Sequence, residues 1–166
     1  MSDTSARLGL PLMQPGQAQK ELTHNEALSL LDLAVQAGVV AVGTSVPPAT
    51  PVAGQAWVVG PAPTGAWAGR AQAIAGWTEN GWRFVAPREG MAVWSAADSC
   101  VARYTGGAWR VGVLAGRRVT IDGIAVIGAQ RPEIITPAGG AVIDGEARGT
   151  IAAILGALRA HGLIAS

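Results

Sequence analysis

Cysteine is almost missing from this 166-residue chain. Cys100 stands alone, so no disulfide can form within the chain and no multi-cysteine metal site can be built. Beside a strand start, a lone cysteine reads as a small buried hydrophobe rather than a nucleophile. Lysine is equally rare: Lys20 is the only one. Charged residues make up 14% and the net charge is +1, which excludes the basic footprint of a nucleic-acid binder. The two histidines, His24 and His161, lie near opposite ends, with no metal-ligand spacing between them. There is no GxSxG, HExxH, Walker loop or CxxC. No catalytic residue, metal or cofactor is therefore assigned. The eleven carboxylates fall mostly at turns and helix ends, where capping and solvation account for them. A glycosidase-like carboxylate pair needs only spatial proximity, so a polysaccharide-degrading enzyme is kept as the lowest-ranked reading.

An uninterrupted apolar run is lacking too. Residues 33–69 carry no charge, but Pro47, Pro48, Pro51, Pro61 and Pro63 would leave backbone groups unpaired in lipid, so no membrane insertion is expected. The first sixteen residues have no continuous apolar core and do not read as a secretory signal. The expectation is a protein made soluble in the cytoplasm, without its own export signal.

What is present is aliphatic: 49% hydrophobic residues and a mean hydropathy of +0.31. A lone domain of this size ordinarily carries more charge. A surface shared with sister subunits needs less.

Three zones follow. Residues 1–38 read as an extended arm and a helix for assembly or attachment. The helix is expected over 17–37, free of proline and glycine, with Gly38 as its stop. Leu28, Leu31 and Val35 share one face with His24, while Leu22, Leu30, Leu33 and Ala37 share another. Two apolar sides call for two partners, one of them another subunit. Residues 39–130 read as a small antiparallel β domain, with candidate strands at 55–59, 71–77, 81–86, 91–95, 101–105, 108–111, 119–121 and 124–127. Asn80-Gly81, Gly106-Gly107 and Asp122-Gly123 mark tight turns with two left-handed central residues. Residues 131–166 read as a linker and a helix capped by Asp144 and ended by Gly162. On that helix Ala147, Ile151, Ile154, Leu158 and His161 follow alternating spacings of four and three. Isoleucine at consecutive core positions favours trimers or tetramers. The competing reading is that this stripe covers the chain's own sheet. The oligomer interface is assigned to His24, Leu28, Leu31, Val35, Ile151, Ile154, Leu158 and His161. The fold expected is α+β: N-terminal arm and helix, antiparallel β domain, C-terminal helix, oligomerising.

All six tryptophans lie in the β zone. Most are expected in the core, since Trp fills a small β core that has little Leu or Phe. The functional reading is a sugar platform, an indole stacking on a pyranose. Trp67, in a Gly- and Pro-rich loop, is its best exposed candidate. Trp77 and Trp82, with polar contacts from Arg70, Glu79, Arg83 and Arg88, complete the glycan-binding set.

The N-terminal block resembles a family of uncharacterised domains of tailed phages, prophages and gene transfer agents. The matching residues are Leu10-Pro11, Gln17-Ala18-Gln19-Lys20-Glu21, Thr23-His24-Asn25-Glu26-Ala27-Leu28 and Leu31-Asp32. GQAWVVG, PTGAWAG, IAGWTENGWRFVAPREGM and the later Tyr104 and Trp109 continue the likeness, as does the C-terminal helix. It implies a tail-fibre or head-spike component of an extracellular phage-like particle. Such a component contacts other particle proteins and helps attachment to cell-surface or capsular polysaccharide. It carries over no catalytic residue. The expected assembly is a homotrimer, with a pentameric base as the alternative. The polar side chains of the block read as hydrogen-bonding across a symmetry axis, or as docking another particle protein.

Overall fold

The structure is a computed structural model and describes residues 3–13, 16, 20–140 and 144–165. The chain forms two compact units, residues 1–113 and 114–166.

In the first unit, helix α1 spans Lys20–Ala34. The start of the expected helix, 17–19, lies outside the described residues. The helix stops earlier than glycine placement suggests, and Gln36 rather than Gly38 adopts the left-handed conformation, at φ 46°. The reason lies in the arm. The Arg7 guanidinium donates to the carbonyls of Asp32 and Gln36, so the terminal acceptors are satisfied from outside the helix and need no glycine cap.

The arm is folded back rather than extended: Ser5 N–H donates to Leu10 O (2.9 Å) and Leu12 N–H to Asp3 O (2.8 Å). Buried Asp32 grips its bend, accepting from Ser5 Oγ (2.8 Å), Arg7 N (3.1 Å) and Leu8 N (2.6 Å). Two helical turns earlier, the Asn25 amide both accepts from Met13 N and donates to Met13 O, each at 2.9 Å. The reading of the block's polar residues as a seam across a symmetry axis is thus corrected for Asn25, and Asp32 acts beside it. They bind the chain's own arm.

Eight strands follow: β1 (Gly38–Val39), β2 (Val42–Thr44), β3 (Ala56–Val59), β4 (Ile74–Thr78), β5 (Gly81–Val85), β6 (Ala92–Ser95), β7 (Cys100–Thr105) and β8 (Ala108–Val111). They make two four-stranded sheets, ordered β2-β3-β4-β5 and β1-β6-β7-β8. Consecutive hairpins are antiparallel, but β1 pairs parallel with β6 and β2 parallel with β3. The chain thus crosses from one sheet to the other within residues 39–42. The small antiparallel domain expected is present in its hairpins, and these two parallel pairings are added to it.

Strand alternation gives the first sheet two apolar faces. On one, Ala56, Val58 and Ile74 meet Leu33 and Ala37 of the helical segment and Val39, Val93 and Ala102 of the second sheet. On the other, Trp57, Val59 and Ala75 meet Trp67, with Trp82 and Phe84 packed against them. The α+β class with helices at both ends is as the sequence indicates.

The second unit holds a hairpin of β9 (Val119–Ile121) and β10 (Ile124–Ile127), and helix α2 (Gly145–Ala160). Asp144 caps α2, accepting from Ala147 N at 2.9 Å, and Gly162 turns the chain away at φ 68°. Arg131 pairs with the chain end: its N–H donates to Leu163 O (2.9 Å) and its carbonyl accepts from Ala165 N (2.7 Å). Among the described residues of this unit, only Leu155 and Ile164 are buried hydrophobics.

Candidate functional site

Strand β5 is the free edge of its sheet. Its alternate side chains point to opposite faces, so Arg83 faces α1 while Trp82 and Phe84 face the tryptophan layer. An open groove of about 410 Å³ follows this edge, lined by Glu26, Leu30, Arg70, Trp82, Arg83 and Phe84.

Arg83 is well held. Its Nε donates to Glu26 Oε2 at 2.6 Å, and its Nη1 to Asn80 O (3.3 Å) and Trp82 O (3.1 Å). Both partners of the ion pair keep substantial exposure, so it contributes roughly 0.5–1 kcal/mol and acts mainly to fix the guanidinium. Exposed Arg70 differs: its guanidinium lies 5.0 Å from the centre of the Phe84 ring. A cation over an aromatic ring, beside an indole edge, suits a ligand with a planar apolar face and an acceptor group.

Three of the seven glycan-binding candidates, Arg70, Trp82 and Arg83, thus come together. Trp77 stands behind them, its ring 5.0 Å from Trp82. Glu79 sits in the β4–β5 turn and Arg88 in the β5–β6 connection, and neither lines the groove. Trp67 is corrected. It is fully buried, 6.1 Å from Trp57 and 5.1 Å from Trp82 by ring centres. Its loop is tied to the sheet by Thr64 N–H donating to Ser45 O (2.9 Å), and a 3-10 turn at Gly65–Trp67 swings the indole inward. The tryptophan face of the first sheet needs a cover, and this loop supplies it. Glu26, Leu30 and Phe84 were not among the sequence candidates. The signal for Glu26 was its place in the polar N-terminal block; Phe84 is the only phenylalanine.

The interface candidates behave unevenly. His24 and Leu31 are exposed on α1, Val35 is exposed just past its end, and Leu28 is half-buried. On α2, Ile151 and Ile154 are 43% and 55% exposed, His161 is exposed and Leu158 half-buried. Leu155, outside the stripe, is the buried residue of that helix. Among the described residues, no three His, Cys, Asp or Glu side chains are grouped as metal ligands, and no helix is long and apolar enough to cross a membrane.

Fold and groove define an α+β protein in which a helix and its clasped arm brace two small sheets, one bearing a cationic aromatic edge. The chain belongs to the DUF2793 family of proteins of unknown function, whose model matches residues 24–110. The match runs from the first half of α1 to β8 and ends before the second unit. None of the curated proteins matches the chain.

Proposed function

We propose that this protein is a structural component of a phage-like particle, a tail-fibre or head-spike subunit that works by assembly and helps attachment to a host surface. One observation carries the reading. In the second unit eleven large aliphatics, from Leu114 to Leu163, are 41–93% exposed, against two that are buried. The unit thus leaves far more aliphatic surface outside than it buries, and exposed apolar surface beyond what a monomer ordinarily carries marks an interaction site. A hairpin this short is marginal alone, and a unit this small has little core of its own. The heptad spacing of Ile151, Ile154 and Leu158 makes a second copy the natural cover, with a trimer favoured over a pentamer. The particle context rests on the resemblance of the N-terminal block. It implies particle proteins as further partners and an extracellular particle as the final location.

The test is the mass of the purified chain by light scattering. The wild type is expected as a trimer. Ile151→Asp with Ile154→Asp should shift it to monomer while the tryptophan spectrum of the first unit stays unchanged. A wild-type chain that stays monomeric at high concentration overturns the reading.

A second reading is direct binding of capsular polysaccharide through exposed tryptophan. The observation favouring it is the groove, where Trp82 and Phe84 lie beside Arg70.

A further inference from the structure

The outer face of the second sheet carries a pairing that costs stability. Arg103 on β7 and Arg110 on β8 are direct cross-strand partners, and both are exposed. Side chains so placed share one face with Cβ atoms roughly 5 Å apart, and like charges there are unfavourable. Among the described residues neither guanidinium has a carboxylate partner. The acid on the neighbouring turn, Glu89, is already taken, accepting from Thr105 Oγ1 (2.7 Å) and Gly106 N (3.1 Å). Beside this row stands Trp94 on β6, paired with Val101 and 51% exposed, the most exposed indole of the chain. Its other strand neighbour is Gly38, which has no side chain, and Ala92 opposite Arg103 is small. Trp94 also walls an apolar recess of about 250 Å³ against the backbone of β1 and residues 54–56.

We propose that this face binds an acidic sugar unit, its ring laid on Trp94 and its carboxylate or sulfate held between Arg103 and Arg110. Two forked guanidiniums can each pair with oxygens of a carboxylate or sulfate, and the bound negative charge offsets their mutual repulsion. The flat indole with small neighbours accepts a pyranose ring from above. With 12 basic residues against 11 acidic ones, the chain lacks the continuous positive track that a nucleic acid would need. The proposal rests on the sugar-binding reading above but places the sugar on a different face from the groove.

The experiment is calorimetric titration of the full chain with an oligogalacturonate of defined length, a sulfated oligosaccharide, a neutral malto-oligosaccharide and citrate. An acidic oligosaccharide, carboxylated or sulfated, should bind at least tenfold more tightly than the neutral one and more weakly as salt rises. Trp94→Ala and the pair Arg103→Ala/Arg110→Ala should each weaken it at least tenfold, while Arg117→Ala, an exposed arginine of the second unit, leaves it unchanged. Arg110→Thr alone should raise Tm by about 1–3 °C at low ionic strength by relieving the repulsion. A Tm that falls instead removes the premise. Loss in Arg70→Ala but not in Trp94→Ala moves the sugar to the groove and overturns this proposal alone. Loss in the arginine pair without loss in Trp94→Ala, or citrate binding as tightly as the oligosaccharide, overturns the stacked sugar. No binding of any oligosaccharide at millimolar concentration overturns both this proposal and the sugar-binding reading.

Discussion

Gly76→Ala should destabilise the first unit by about 3 kcal/mol, an overpacking cost at the upper end of the usual range. A Cβ built on Gly76 would stand 2.0 Å from Leu33 Cδ2, 2.7 Å from Cδ1 and 2.9 Å from Cγ. The whole head of Leu33 therefore occupies the place of the missing side chain, and no single rotation clears it. Leu33 is only 2% exposed and hemmed in by Ala37, Val58 and Ile74, so relief requires α1 to lift from the sheet. Leu33→Ala removes the same knob and should cost about 2–5 kcal/mol through lost burial and a residual cavity. The two changes are not independent. In the double variant the new methyl at Gly76 enters space that Leu33 has vacated, so its cost should fall short of the sum by more than about 1 kcal/mol. Urea unfolding of the four proteins measures this directly. Strict additivity would mean that the helix is not held by this contact.

The second large effect is expected at the arm. Asp32→Ala deletes the acceptor of Ser5 Oγ, Arg7 N and Leu8 N at a site only 5% exposed. Leaving such donors unpaired costs about 1–3 kcal/mol each when they stay dry, but a released arm lets water reach them, so a total of about 2–4 kcal/mol is expected. The arm should also open: limited proteolysis within residues 3–13 should accelerate by more than about tenfold, since cleavage follows the population of the open form. Asp32→Asn should fall between. Its remaining oxygen can replace Oδ1, which serves Ser5 and Leu8, while its amide nitrogen faces the Arg7 N–H. An arm equally protected in Asp32→Ala would show that Arg7 and Asn25 alone hold it.

The parts of the fold legible in the sequence are those set by local chemistry. Strands β8, β9 and β10 fall on the expected residues because Gly106-Gly107 and Asp122-Gly123 supply adjacent left-handed positions, at φ 59° and 80° and at 47° and 78°. The Asn80-Gly81 turn is displaced by one residue. Thr78 pairs with Gly81, so Glu79 and Asn80 are central and only Gly81 is left-handed, a preference that either register satisfies. Strands β1 and β2 escaped notice because two or three residues carry no periodicity and their parallel partners are distant in sequence. The groove was half legible. Its cation and indole were marked by residue type, but the burial of Trp67 depends on which sheet face lacks a helix, a tertiary fact. Asn25 and Asp32, seven residues apart, share a helix face; nothing in that spacing says whether the partner is the chain's own arm or another copy.

The tryptophan layer also gives the protein its own gauge. Trp57, Trp67, Trp77 and Trp82 stand with ring centres 5.0–6.1 Å apart, inclined by 45–82° in each neighbouring pair. Transition dipoles held so close and so skewed couple as excitons, giving paired bands of opposite sign in the ultraviolet circular dichroism. Those bands should weaken when the loop carrying Trp67 detaches and two of the four close pairs are lost, whereas the helical signal falls when α1 unwinds. The order of the two losses on heating would report which side of the first sheet gives way first.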